Sequence, residues 1–256
     1  MSSSNHDRGP AANPIPRRYD RLKNPTREDA DMRWEIVHEE AYSVLRVHLD
    51  PGEEVAGEAG AMLLTRGDVE ARAAAGGIKG AIARALGGGE SPFFNLYRAR
   101  GASEVWLAPP LPGQVSHLPL DSGGYILTRG AYLGHWGQVE FHVAWRGVSG
   151  LLAHGHFLLL KASGFGGIWL SAFGAIDEVE VPTGERVMVD NFHFVAVADD
   201  ARYAVKPFGG IKTALLGGEG LAVEVEGPAR LLVQTRQAPA MAALLSPFLQ
   251  GKLERR

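Results

Sequence analysis

No cysteine occurs in the 256 residues, which excludes a disulfide framework, thiolate metal sites and a cysteine nucleophile. Excess charge is also lacking, at a formal net value of -3. Seven basic and five acidic residues precede Trp34, leaving 19 basic against 24 acidic beyond it. A chain body of that sign gives no electrostatic reason to bind nucleic acid or anionic lipid. No apolar run approaches the roughly 18 residues that span a bilayer. The N-terminus has no apolar h-region, so no secretory signal is expected. Asp7, Asp20, Glu28, Asp29 and Asp31 stand among its arginines and argue against an amphipathic mitochondrial presequence. These absences together predict a soluble cytoplasmic protein.

Catalytic motifs are missing too. Ser149, Ser163 and Ser171 have neither a G-x-S-x-G elbow nor an ordered Asp/His set. The glycine loops at Gly76 and Gly209 match neither the G-x-x-x-x-G-K-S/T nor the G-x-G-x-x-G phosphate cradle. They are expected to be turns that let sheets approach closely.

What the chain does contain is hydrophobic alternation. From Met1 to about Arg33 there are few large apolar residues, four prolines and many charges. Such a segment cannot bury enough surface to offset its ordering entropy, so residues 1–33 are expected to be a disordered tail. Beyond Trp34 a period of two dominates. Leu45, Val47 and Leu49 lie opposite Arg46 and His48; Val139, Phe141, Val143 and Trp145 oppose Gln138, Glu140, His142 and Arg146; Leu221, Val223 and Val225 oppose Ala222, Glu224 and Glu226. Each is a strand with one buried face. Turn signals such as Asp50-Pro51-Gly52, Asp121-Ser122-Gly123-Gly124 and Pro182-Thr183-Gly184 punctuate them, as in a sandwich or barrel. Helix is scarce: a stripe at Ile78, Ile82 and Leu86, and a short terminal helix at Met241, Leu244 and Leu245, interrupted at Pro247.

The chain repeats itself. Gly89 leads to Val105-Trp106-Leu107, Gly155 to Ile168-Trp169-Leu170 and Gly218 to Leu231-Leu232-Val233, the glycines standing 66 and 63 residues apart. A second element, strand, turn glycine, strand, recurs around Gly52, Gly123 and Gly184. Its third copy stands at the start of the chain and not after Arg236, so the strands from Leu45 to Met62 are expected to pack with those from Leu221 to Thr235 and complete the third unit. Residues 34–236 then form one all-β domain of three units in a pseudo-threefold arrangement, followed by a helix and tail over 237–256.

Gly60-Ala61-Met62, Gly89-Glu90-Ser91-Pro92-Phe93-Phe94-Asn95, Val105-Trp106-Leu107-Ala108-Pro109 leading to Gly113, Gly130-Ala131-Tyr132-Leu133, Gly184-Glu185 and Gly217-Gly218-Glu219-Gly220-Leu221 follow one another in order. As a set they resemble the bacterial branch of the altered-inheritance-of-mitochondria protein twenty-four family, the mitochondrial biogenesis group. The resemblance covers about Trp34 to Arg236. It implies a β fold similar to the tryptophan RNA-binding attenuation protein, in three units of double-stranded β-helix or sandwich type, and it supplies no catalytic residues.

Three candidate sites remain. Gly89-Glu90 and Gly218-Glu219 recur at equivalent places and could present two carboxylates to a cation. The competing expectation is structural: glycine permits the turn and glutamate accepts backbone N–H groups. Gly60, Gly130 and Gly184 are expected to be structural in the same sense. His154-Gly155-His156 places two imidazoles on one side of an extended chain, with His193 as a conceivable third ligand in a cupin-like site. Leu158, Leu159 and Leu160 stand where that site needs its glutamate. Trp106, Trp169, Phe93 and Phe94 are expected to pack in cores. Glu178, Glu180, Glu224 and Glu226 occupy strand faces where an RNA binder needs a basic array. The expectation is a non-enzymatic structural or interaction protein without a cofactor, facing a protein partner or a second copy of itself. The alternative is a cupin-like metal-dependent enzyme or small-ligand binder.

Overall fold

A computed structural model describes residues 32–73, 94–120, 123–146, 158–208 and 220–253. Its regular structure is almost entirely β, as the alternation predicts. The first stretch holds β1 (Arg33–Val37), β2 (Val44–Leu49), β3 (Glu54–Glu58), β4 (Met62–Arg66), β5 (Val69–Ala73), β6 (Phe94–Ala99) and β7 (Ser103–Leu107). One layer has the order β1-β2-β7-β4, and β3-β6-β5 form the end of a second sheet. Leu45, Val47 and Leu49 of β2 share a buried cluster with Val105 and Leu107 of β7, Val55 of β3 and Tyr97 and Ala99 of β6. A slip of one residue in β2 would turn those three side chains to solvent, so the sequence pattern fixes the register.

The second stretch holds β8 (Val115–Leu120), β9 (Tyr125–Thr128), a 3-10 turn at Arg129–Ala131, and the long strands β10 (Tyr132–Arg146) and β11 (Leu158–Ser171). β11 pairs with β8 through Gly166 to Ser171 and with β9 through Leu159 to Ala162. Between those halves Gly164 and Gly166 have φ of +128° and +132°. A Cβ on Gly164 would lie 2.0 Å from the Gln138 carbonyl oxygen of β10. Only glycine allows this crossing, where each long strand passes from one face of the unit to the other.

The third stretch holds β12 (Ile176–Val181), β13 (Arg186–Asp190), β14 (Phe194–Ala198), β15 (Arg202–Pro207), β16 (Leu221–Glu226) and β17 (Ala229–Gln234). Here β12-β17-β14 and β13-β16-β15 repeat the order of β2-β7-β4 and β3-β6-β5. In the middle stretch the two halves of β10 and β11, flanked by β8 and β9, make the same pairings with continuous strands. The stretches are joined edge to edge. β10 pairs with β3 (Gly134 opposite Gly57, His135 opposite Ala56), and β14 pairs with β9 (Ala196 opposite Leu127, Val197 opposite Ile126, Ala198 opposite Tyr125).

Among the described residues the circular closure expected from the sequence does not form. β2 and β3 pair with β1, β7, β6 and β10. β16 and β17 pair with β13, β15, β12 and β14. The reason is that the strands around Gly52, Gly123 and Gly184 each pair with strands of their own stretch, so nothing needs to be stitched across the termini.

The tail boundary also shifts: Met32 is buried and Arg33 opens β1, opposite His48. Residues 1–31 lie outside the described residues, as does the helical stripe at Ile78, Ile82 and Leu86. Finally, the terminal helix α1 (Ala238–Leu253) runs through Pro247 instead of stopping there. Its residues around the proline are mostly exposed, so water can satisfy the carbonyl that proline leaves without a donor.

Candidate functional site

Three distant segments meet at one apolar groove. β11 ends in Ser171 and continues through Ala172 to Phe173; the turn before β14 presents Asn191 and Phe192; the 3-10 turn presents Gly130 and Ala131. Pro109 and Pro110 close one side and Ala238 and Ala242 of α1 the other, enclosing about 590 Å³. That volume lies in the range of small-ligand pockets, roughly 300–1,000 Å³. Phe173, Phe192 and Phe194 supply the aromatic wall, and no lining residue is titratable. The groove can therefore hold an apolar group but has no acid or base of its own. Asn191 is 4% exposed, and its side-chain oxygen has no hydrogen-bond partner among the described residues.

A polar clasp fixes one wall. His193 Nδ1 donates to the Gln234 carbonyl oxygen at 2.7 Å, which leaves Nε2 as the acceptor, 3.4 Å from Gln237 Nε2. The Gln234 side chain accepts from Phe173 N at 2.9 Å and donates to the Phe192 carbonyl at 2.6 Å. Both imidazole nitrogens of His193 are thus engaged in holding β14, β17 and α1 together. His154 and His156 lie outside the described residues, and among the described residues no group of three His, Asp or Glu side chains is placed to hold a metal.

Along α1, Met241, Leu244, Leu245 and Phe248 are exposed at 37%, 70%, 41% and 74%. That is an unusual load of solvent-facing apolar surface for one helix.

A second cluster lies at the β3–β10 joint. The Tyr132 hydroxyl and His135 Nδ1 share a buried hydrogen bond of 2.7 Å, with Phe94 and Phe141 edge-on to the imidazole. Burial lowers His135 to about 3, so the ring is neutral at ordinary pH. Burial also raises Glu58, at the end of β3, to about 7, opposed by the Arg129 guanidinium. Burial, and secondarily the Glu58 charge, push the Tyr132 hydroxyl upward. These shifted groups lie where β3 meets β10, away from the groove.

Of the residues singled out from the sequence, Gly60 has φ of +97° in the turn before β4, and Gly184 has φ of +83° in the turn before β13. Gly130 sits in the 3-10 turn and lines the groove. Gly89, Glu90, Gly218 and Glu219 lie outside the described residues, as does Phe93. Trp169 is fully buried in a core, while Trp106 is half-buried under the Arg46 guanidinium, 4.0 Å from its ring centroid. Glu178 and Glu224 are ion-paired with Arg230 and Lys206, at 2.7 and 2.6 Å. The groove phenylalanines, Phe173, Phe192 and Phe194, were not legible as a set; the nearest signal was Gly130.

Comparison with known proteins gives three findings. The family model described as mitochondrial biogenesis AIM24 matches residues 34–236. An uncharacterised protein of Streptococcus pyogenes serotype M6 is 25% identical over 230 residues, covering 86% of this chain and 92% of the relative. A crystal structure of a Streptococcus pyogenes protein from a structural genomics programme is similar in fold, with a TM-score of 0.71 and 24% identity over 85% of this chain and 99% of that one.

Proposed function

The chain belongs to the mitochondrial biogenesis AIM24 family, and on that premise we propose that it is a non-enzymatic structural protein presenting its β surface to a protein partner or to a further copy of itself. The observation that carries this is the apolar surface of α1, from Met241 to Phe248, beside a groove walled by three phenylalanines and devoid of titratable groups. Large exposed apolar surfaces of this kind mark places where another molecule docks. The three stretches are tandem copies of one unit, similar to the tryptophan RNA-binding attenuation protein, in an open row whose end strands β4 and β13 do not pair with each other. The recurring strand order supports this. So do the bridges of Tyr42 to Gly113 and of Gly113 to Gly174, which link the segments entering β2, β8 and β12. The cytoplasm is its site of action, in keeping with a chain free of cysteine.

A photo-crosslinking residue at Leu244 of the full chain, in its native cell, tests this. A discrete polypeptide adduct is expected, lost when Leu245 and Phe248 are changed to serine. No polypeptide adduct would overturn the proposal. So would stoichiometric metal in the purified protein that disappears with His154→Ala and His156→Ala.

A further inference from the structure

The two internal joints obey one rule, and the ends of the chain leave it unfinished. In each unit the third strand carries an irregularity at the same place: between Met62 and Leu64 in β4, between Tyr132 and Gly134 in β10, and between Phe194 and Ala196 in β14. The extra residues are Leu63, Leu133 and Val195. Leu133 is fully buried in the core of the first unit, and Val195 is fully buried in the core of the second. Each therefore inserts into the unit before its own. Leu63 belongs to the first described unit and is 54% exposed.

The receiving strands show the matching pattern. On β3 and β9 the residues facing outward from their own unit are Ala56 and Ile126, which pair with His135 and Val197 of the following unit and are 2% and 4% exposed. Each sits between two core-facing neighbours. On β13 the residue between core-facing Val187 and Val189 is Met188, 43% exposed. β4 and β13 are both at the end of their sheets.

Other sheet edges are defended by charge: β5 carries Glu70 and Arg72, and β12 carries Asp177, Glu178 and Glu180. β4 reads Met-Leu-Leu-Thr-Arg and has none before its last residue.

We propose that β4 of one copy pairs antiparallel with β13 of a second copy, continuing outside the chain the joint it forms twice within. This rests on the interaction role proposed above and names the partner as the chain itself. The internal registers place Leu64 opposite Val189 and Thr65 opposite Met188, with Leu63 entering the third unit's core in the second copy. The contact joins unlike surfaces, so it is head-to-tail, and its products are rings or filaments, not a two-fold dimer.

Light scattering on the full chain after size exclusion tests this. Wild type is expected at a multiple of 27.4 kDa. Leu63→Arg and Met188→Arg should each fall to a single chain. Both sites are exposed in the single chain, so circular dichroism should match wild type and the melting temperature should match that of wild type diluted below its assembly range. Mixed together, the two variants keep one intact β4 and one intact β13 between them and should form a one-to-one complex that grows no further. A monomeric wild type, a variant that assembles like wild type, or a mixture that stays monomeric would each overturn the proposal. A monomer that still gives the Leu244 adduct to a foreign polypeptide would end this inference alone and leave the interaction role intact.

Discussion

The joint between β3 and β10 and the joint between β9 and β14 do the same job with different chemistry. In the first, two glycines face each other, Gly57 and Gly134, and a Cβ on Gly134 would lie 2.6 Å from the Ala56 carbonyl oxygen. In the second, the corresponding pair is Leu127 and Ala196, followed by Ile126 and Val197. The first joint brings backbones together and buries a tyrosine, a histidine and a partly buried glutamate beside them. The second pairs aliphatic residues and one buried tyrosine, Tyr125 opposite Ala198. The shared device is the inserted residue, Leu133 or Val195, and what differs is the cost of the surroundings. Buried polar groups must stay paired, so the first joint should be the more sensitive to pH and to added volume, and the second the more sensitive to lost volume.

The largest expected effect comes from deleting the inserted side chains. Leu133→Ala should destabilise by about 4 kcal/mol, because it removes a fully buried leucine and leaves a cavity among aromatic neighbours. Val195→Ala should cost about 2 kcal/mol, from two buried methyl groups. Leu63→Ala, the same position at the chain's open end, should change the unfolding free energy of a dilute monomer by under about 0.5 kcal/mol. Urea unfolding of the three variants checks the ranking; a loss at Leu63 equal to that at Leu133 would show the end to be already covered in the monomer.

Adding volume should separate the joints in the other direction. Gly134→Val drives a side chain onto backbone at Ala56 and should cost about 3 kcal/mol, the upper part of the overpacking range. Ala196→Gly, which gives the second joint the residue of the first, should cost only about 1 kcal/mol, from backbone entropy and one lost methyl. Thermal unfolding of the pair is sufficient. A mild Gly134→Val would mean that the first joint can separate without loss.

How much of this was readable in advance depends on the range of the interaction. The strands at Leu45–Leu49 and Leu221–Val225 were legible because alternation is local and burial follows it. Which distant strands pair edge to edge was not legible, since no short window records it. Leu133 and Val195 look like any apolar residue after a strand start; only a two-sided count of neighbours shows that they leave their own unit. The contact of His193 with Gln234 was not legible because the two are 41 residues apart. The groove was invisible for a related reason: Phe173 and Phe192 are neighbours only once β14 has packed beside β17.

The smallest effect is the most specific to the first joint. Glu58 moves from 4.5 to about 7 on folding, and His135 from 6.5 to about 3. Between pH 4.5 and 6.5 the unfolded chain holds a proton on His135 that the native protein lacks, and the native protein holds one on Glu58 that the unfolded chain lacks. The two contributions to the pH slope cancel there. Below 4.5 only His135 differs, so its contribution makes stability fall as pH drops toward 3. Above 6.5 only Glu58 differs, so stability falls as pH rises to about 7. Glu58→Gln should remove one side: the difference between variant and wild type should grow in the variant's favour from pH 4.5 to 7, reaching about 1–2 kcal/mol once the carboxyl's remaining solvent contact is discounted. His135→Phe should do the reverse on the acid side, with the difference from wild type widening as pH falls from 6.5 toward 3. Urea midpoints across those windows decide it. A Glu58→Gln profile parallel to wild type would mean that the carboxylate is solvated in the native joint, and the contrast between the two joints would then rest on packing alone.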